Sequence, residues 1–213
     1  MRMIELDIHA EEHFARIHSM LRDFPGGVEK AMRGVMSRAI ATARSESLKA
    51  ITSVYDIKKD DVRDRKNTTI NMITKNVDGG IIGVIHYSGH KIPFYRFGVT
   101  PTEPKKRPYR VPVMIGDRWV LAHPGVEVKA RQLKKNPMKK IDNAFIARME
   151  NGHTGIFERK SRTSSKITEK MGASTAEMAH NAVVLEEVEE KTMETILKRT
   201  EAEIHRILNG YGR

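Results

Sequence analysis

The sequence carries one long segment of helical periodicity near each end, and this pair most constrains the fold. In residues 28–54, apolar side chains recur at spacings of three and four, which places them on one stripe of a helix. These side chains are Val28, Met32, Val35, Ala39 and Ala43. The segment is therefore predicted to be a long helix whose Ala- and Val-rich stripe packs closely against another element.

Residues 174–209 form the second segment. The run Ser174-Thr175-Ala176-Glu177 is a capping box that predicts the start of a helix, and Gly210 is typical of a residue just past a helix end. The residues around His180 permit a break. The apolar stripe is predicted to comprise Met193, Leu197, Ile204 and Leu208, with Ile196 beside it.

Between these helices the pattern favours short strands. Residues 68–74 and 81–87 are rich in Ile, Val and Thr and flank Asp78-Gly79-Gly80, which indicates a β-hairpin. Further strands are predicted at 113–115, 118–122, 144–147 and 155–158, and a short strand and a helix at 3–8 and 11–21. The order predicts an α+β fold with a long N-terminal helix, an antiparallel strand-rich middle and a long C-terminal helix. A length of 213 residues allows one large domain or two small ones, and we expect a single domain, 1–213.

Positive charge is concentrated in the middle of the chain. Residues 101–170 hold 17 basic and 7 acidic side chains, whereas residues 171–213 hold 5 and 8. Residues 100–112, here called the basic arm, contain four prolines and are predicted to be extended and largely irregular. The candidate contacts to a partner or to phosphate groups are Lys105, Lys106, Arg107, Arg110, Lys129, Arg131, Lys134, Lys135, Lys139 and Lys140.

Three explanations of this positive charge remain open. It suits non-specific contact with the phosphates of a nucleic acid, although only Tyr109 and Trp119 lie nearby for base stacking. Docking on an acidic protein surface is an equally good explanation, and a solvated arm is a third. The acidic C-terminal segment also permits head-to-tail contact between copies of the chain.

The clearest match to a catalytic motif lies at the N-terminus. His9, Glu12 and His13 fit the H-x-x-E-H spacing of one class of zinc proteases, in which two histidines on one helix face bind the metal. The short motif stands where a strand gives way to a helix, so two surface histidines among solvated glutamates are the favoured interpretation. No metal site is predicted.

Two other groups resemble catalytic sites only weakly. Ser88 lies between His86 and His90, but no G-x-S-x-G elbow surrounds it. The acidic residues Asp56, Asp60 and Asp61 stand among basic residues rather than as paired carboxylates on adjacent strands. We therefore predict that the chain is not an enzyme and has no catalytic residue and no cofactor.

The sequence also bears on the compartment. Cysteine is absent, which excludes disulfides and thiolate metal sites and suits a reducing cytoplasm. The first residues resemble no signal peptide, and no window approaches the roughly 20 apolar residues of a membrane span. We expect a soluble protein without a membrane partner.

The order of several short motifs resembles the minor tail protein Z family of tailed bacteriophages. These are the "AFIA" run at 144–147, the polar Gly turn at 151–152 and the "GIFER" run at 155–159, followed by residues 166–174 leading into the last helix. In the first half, the helix at 32–50 precedes "YDIK" at 55–58. The resemblance covers residues 28–208.

This resemblance implies a structural tail completion protein at the head-proximal end of the phage tail, made in the host cytoplasm and incorporated into the virion. Its partners would be copies of itself in a ring, commonly six-fold, together with tail terminator, tail tube or neck proteins, and phage DNA in passing contact. A non-specific nucleic-acid-binding protein is the alternative, and a metallohydrolase using His9, Glu12 and His13 is the second alternative.

Overall fold

The structure is a computed structural model that describes residues 11–64, 68–77, 80–115, 117–123, 125–159 and 166–210. These residues fall into two compact units. Unit 1 draws on Met1–Ile51, Thr68–Gly89 and Thr175–Arg213, and unit 2 on Thr52–Asn67 and His90–Ser174. The predicted strand at 3–8 lies outside the described residues.

The described α-helices stand before and after the strands in the sequence. The helices are α1 (Glu11–Leu21), α2 (Gly27–Val54), α3 (Lys59–Arg63), α4 (Thr175–Ala179) and α5 (Ala182–Leu208), with a 3₁₀ turn at Phe94–Arg96. The strands are β1 (Thr68–Val77), β2 (Gly80–Gly89), β3 (Lys91–Pro93), β4 (Gly98–Thr100), β5 (Val111–Ile115), β6 (Arg118–Ala122), β7 (Lys129–Arg131), β8 (Lys139–Lys140), β9 (Ala144–Arg148), β10 (Thr154–Arg159), β11 (Ile167–Glu169) and β12 (Met171–Ser174). The α+β prediction is confirmed, and both long helices are present.

One core cluster of unit 1 is built by three helices. Ile17 and Leu21 of α1, the predicted stripe of α2 from Val28 to Ala39 and Ile196 of α5 pack into one cluster. In that stripe Met32, Val35 and Ala39 are buried, because the three- and four-residue spacing keeps them on one face. The predictions for α1 and α2 are thus confirmed.

The predicted apolar stripe of the last helix is only partly right, since Ile204 and the neighbouring Ile196 are buried. Leu197 and Leu208 are exposed. The buried face instead comprises Val184, Val188, Thr192, Ile196, Thr200, Ile204 and Ile207. Two threonines interrupt the apolar pattern of this face, so the sequence does not show it as an apolar stripe. The Thr192 hydroxyl donates to the Val188 carbonyl oxygen at 2.6 Å.

The break permitted near His180 is confirmed. Helix α4 ends at Ala179 and α5 begins at Ala182. Between them, the side-chain oxygen of Asn181 accepts a hydrogen bond from the Val183 backbone N–H at 3.1 Å. This N-cap satisfies one of the donors left free at a helix start, so α5 begins as a separate helix.

Unit 1 also contains the predicted hairpin. Strands β1 and β2 pair antiparallel from Thr68 opposite Gly89 to Val77 opposite Gly80. In β2, Ile85 and Tyr87 are buried at alternate positions, as the two-residue period of a strand requires.

Unit 2 is made of small antiparallel sheets. The orders are β4-β7-β8, β11-β10-β9 and β12-β3, with β5 and β6 in a two-stranded sheet of their own. Val128, Ala130, Ile146 and Ile156 form its core cluster. The predicted pair at 144–147 and 155–158 is confirmed as β9 and β10, and in the connecting turn Gly152 adopts a φ of 82°, which glycine tolerates without steric penalty.

Among the described residues, none of the helices combines the length and apolar character needed to cross a membrane.

Candidate docking surface

The β5–β6 hairpin presents large apolar side chains in register. Pro112 stands opposite Leu121, and Met114 stands opposite Trp119. Residues directly opposite in an antiparallel pair lie on the same side of the sheet, as do residues two apart along a strand. These four side chains therefore share one side of the hairpin, here called the Trp119 face.

The Trp119 face is open to solvent. Trp119 is 68% exposed and Leu121 is 62% exposed, while Met114 and Pro112 are also exposed. A two-stranded hairpin is at most marginally stable alone in water, and the hairpin pairs with no further strand within the described part of the chain. Large exposed apolar patches commonly mark surfaces that contact another protein.

The side chains on the opposite side of the hairpin are also poorly buried. Val120 is exposed, and Val111 and Ala122 are only half-buried. The sequence holds a signal for this surface, because residues 111–115 and 119–122 are apolar at almost every position. Such continuous apolar runs are typical of strands covered on both faces. The strands are thus predicted from the sequence, whereas their exposure is not.

The basic arm runs beside the end of this hairpin. Thr100 lies in β4 and Pro112 in β5, whereas residues 101–110 contain neither helix nor strand, and 102–110 are exposed. One isolated bridge joins Lys106 to Gly125. The Tyr95 hydroxyl donates to the Thr102 carbonyl oxygen, so the arm is attached near its start.

His123 fastens the other end of the arm. Its Nδ1 lies 2.8 Å from the Arg107 carbonyl oxygen, and Nε of Arg110 lies 3.1 Å from its Nε2. A carbonyl oxygen can only accept and Nε of arginine can only donate, so the proton is assigned to Nδ1 of a neutral imidazole. Arg107 also donates to the Tyr109 hydroxyl at 2.8 Å. Two of the predicted contact residues are thus held within the arm.

Two lysines of the second basic block share one carboxylate. Lys129 stands directly opposite Lys140 in the β7–β8 pair. Their Nζ atoms lie 3.7 and 3.4 Å from the two carboxylate oxygens of Glu127. The carboxylate offsets the repulsion expected between like charges facing each other across strands.

Arg131 and Lys134 bond internally to the segment that ends α2. Nε of Arg131 lies 2.6 Å from Oδ2 of Asp56, and Nζ of Lys134 donates to the Thr52 carbonyl oxygen at 2.7 Å. These two cations are therefore partly used in holding unit 2 together.

The remaining candidates, Lys105, Lys106, Lys135 and Lys139, are exposed. Within the described part of the chain their side chains have no carboxylate partner. The ten predicted residues thus do not form one continuous patch of free charge: the free cations stand on the arm and in the stretch from β7 to β8.

The three groups that resemble catalytic sites in the sequence lie partly within the described residues. His9 lies outside the described residues, whereas Glu12 and His13 stand in α1. Among the residues the structure describes, no group of three His, Asp or Glu side chains could hold a metal. Asp56 is paired with Arg131, and Asp61 with Arg96 at 3.1 Å.

Next to Ser88, Tyr87 is the buried titratable group of β2. Burial raises the pKa of Tyr87, and the nearby Ser47 hydroxyl and Arg44 charge offset part of that rise. Ser47 donates its proton to the Ala43 carbonyl oxygen at 2.6 Å. The Tyr87 hydroxyl has no hydrogen-bond partner of good geometry among the described residues.

Comparison with known proteins gives no relative: no family model, no curated protein and no solved structure matches the chain.

Proposed function

We propose that this chain is a structural phage tail protein, a tail completion subunit at the head-proximal end of the tail that acts by docking to neighbouring subunits. The observation that carries the proposal is the Trp119 face, a solvent-exposed apolar surface on a two-stranded hairpin. Burying each such large side chain would stabilise a complex by roughly 1.5–3 kcal/mol.

The positions of the family-like motifs support the same proposal. The "AFIA" run lies in β9 and the "GIFER" run ends in β10, joined by a turn that contains Gly152. The run at 166–174 covers β11 and β12 and leads directly into α4. Each motif thus coincides with one strand, one turn or one pair of strands, in the order that the resemblance implies.

The surface that would receive the hairpin is the exposed side of α5 on a neighbouring copy. Val183 and Leu197 are exposed there, and Glu186, Glu190 and Glu194 lie on the same stripe at helical spacing. This apolar and acidic stripe is complementary to the apolar hairpin and its basic arm. Contact between two different surfaces of identical subunits produces rings where the rotation closes.

A mixing experiment tests this head-to-tail contact. One variant, Trp119→Ser/Leu121→Ser, removes the hairpin surface, and a second, Val183→Ser/Leu197→Ser, removes the α5 surface. We expect native mass spectrometry to show ring-sized particles for the unaltered protein, monomers for each variant alone, and a one-to-one dimer for their mixture, because each then supplies the surface that the other lacks.

A matched control removes two exposed apolar side chains elsewhere in unit 2, with Ile167→Ser/Met171→Ser. This control should still assemble. A strictly monomeric unaltered protein that is also absent from purified virions would rule out the proposed function. Rings that persist in both interface variants would leave assembly intact but reject the assigned surfaces.

A further inference from the structure

A separate basic groove lies in unit 1, between α2 and α5. It encloses about 400 Å³ and is lined by Arg38, Ala41, Thr42, Ser45, Thr195, Lys198 and Arg199. On α2 these positions recur at spacings of three and four, as they do on α5, so each helix turns one stripe toward the opening. The Thr195 hydroxyl lies 3.4 Å from the Thr42 hydroxyl, which connects the two walls.

The charge in this groove is not neutralised from within. Arg38, Lys198 and Arg199 make no ion pair with any described residue. The carboxylates nearest in sequence to the lining residues have other partners. Glu46 pairs with Lys49 at 2.6 Å and Glu194 with Lys191 at 3.2 Å. Glu201 pairs with Arg16 at 3.0 Å and Glu203 with Arg206 at 2.7 Å. Three cations therefore surround one opening without an internal counter-ion.

The composition of the lining indicates the ligand. A carboxylate has one charge and two oxygens, and it would leave most of this charge uncompensated. A phosphate group carries up to two negative charges and presents three or more acceptor oxygens, and both the guanidinium groups and the threonine and serine hydroxyls can donate to them. We propose that the α2–α5 groove is a binding site for phosphate groups.

This site is independent of the hairpin surface, because none of its lining residues belongs to unit 2. The phosphate has two possible sources, a small phosphate ion or the backbone of a nucleic acid. The volume of about 400 Å³ falls in the usual range for small-ligand sites, and the open groove also suits a chain of phosphates.

The experiment measures binding of two probes, inorganic pyrophosphate by calorimetry and a short random-sequence DNA duplex by fluorescence anisotropy. The test variant is Arg38→Gln/Lys198→Gln/Arg199→Gln. Its control, Arg16→Gln/Arg22→Gln/Arg33→Gln, removes the same charge from cations of unit 1 that are already ion-paired. Thermal unfolding checks that each variant folds, and Arg38→Gln/Lys198→Gln, which alters only exposed side chains, replaces the triple variant if it does not.

We expect saturable binding to the unaltered protein, at least tenfold weaker in the groove variant and nearly unchanged in the control. Pyrophosphate binding without duplex binding identifies a small anion as the source. Duplex binding identifies a nucleic-acid backbone if its salt dependence is weaker in the groove variant than in the unaltered protein. The slope of log K against log salt concentration should fall by about 0.9 for each phosphate that the variant no longer neutralises. Absence of saturable binding for both probes, or equal weakening in the groove and control variants, overturns the proposal.

Discussion

Asp56 and Arg131, far apart in the sequence, are joined by a 2.6 Å contact between Oδ2 and Nε. Gly98 stands opposite Arg131 in the β4–β7 pair, and a Cβ placed on it would lie 2.8 Å from Cγ of Asp56 and closer still to Oδ2. The ion pair therefore occupies the space that any side chain at position 98 would need.

Gly98→Ala should lower the free energy of unfolding of unit 2 by about 1–3 kcal/mol, because the new methyl group displaces Asp56 from its half-buried guanidinium partner. Urea unfolding followed by circular dichroism measures the decrease. Gly125→Ala is the matched control, since its Cβ would meet only Phe145 at an ordinary 3.9 Å. Equal stability of the two variants would contradict this packing around Asp56.

Thr200→Val should raise the free energy of unfolding by up to about 1 kcal/mol. The Thr200 hydroxyl is buried and has no hydrogen-bond partner among the described residues, and an unsatisfied buried hydroxyl is destabilising. Thr192→Val provides the comparison, because Thr192 is equally buried but bonded to Val188. Urea midpoints that favour Thr192→Val over Thr200→Val would count against this expectation.

Tyr87→Phe should leave unit 1 as stable at neutral pH or slightly more so, since it removes a second buried hydroxyl without a good partner. Burial raises the pKa of Tyr87 in the folded protein above its unfolded value of 10.0. Above pH 10 the folded state therefore binds more protons than the unfolded state. The titration of Tyr87 leaves the free energy of unfolding unchanged below about pH 10 and lowers it as the pH rises further.

The measurement for this pH effect is the difference between the unfolding free energies of the unaltered protein and Tyr87→Phe, taken from pH 8 to the alkaline limit of the assay. We expect the unaltered protein to fall faster than the variant above about pH 10. Parallel curves over the whole range would show that Tyr87 titrates alike in both states.

His123→Ala should loosen the basic arm without unfolding unit 2. It removes the bonds to the Arg107 carbonyl oxygen and to Arg110 while leaving the core cluster untouched. Limited trypsin digestion should cut faster after Lys105, Lys106 and Arg110, whereas the Arg107-Pro108 bond is not a trypsin site. His180→Ala, an exposed histidine of unit 1, is the control, and an unchanged cutting rate in His123→Ala would refute the fastening role.

Local sequence pattern predicted most of the described helices and strands because α2, α5 and the hairpins depend on spacing within one segment. It failed for the buried face of α5, where Thr192 and Thr200 replace apolar residues. The sequence pattern also could not predict which basic residues form internal contacts and which remain free. The partner of Arg131 is Asp56, 75 positions away, and only the tertiary fold brings such residues together. The exposure of Trp119 likewise depends on tertiary packing, which the pattern of its own strand does not contain.

Trp119 is the only tryptophan in the chain, and it stands on the exposed hairpin rather than in either core cluster. Light absorbed by indole is therefore emitted from the proposed contact surface alone. Desolvation of the ring on docking should shift that emission to shorter wavelength at constant temperature and without denaturant. The protein thus contains its own optical probe of association, one that can be followed by simple dilution.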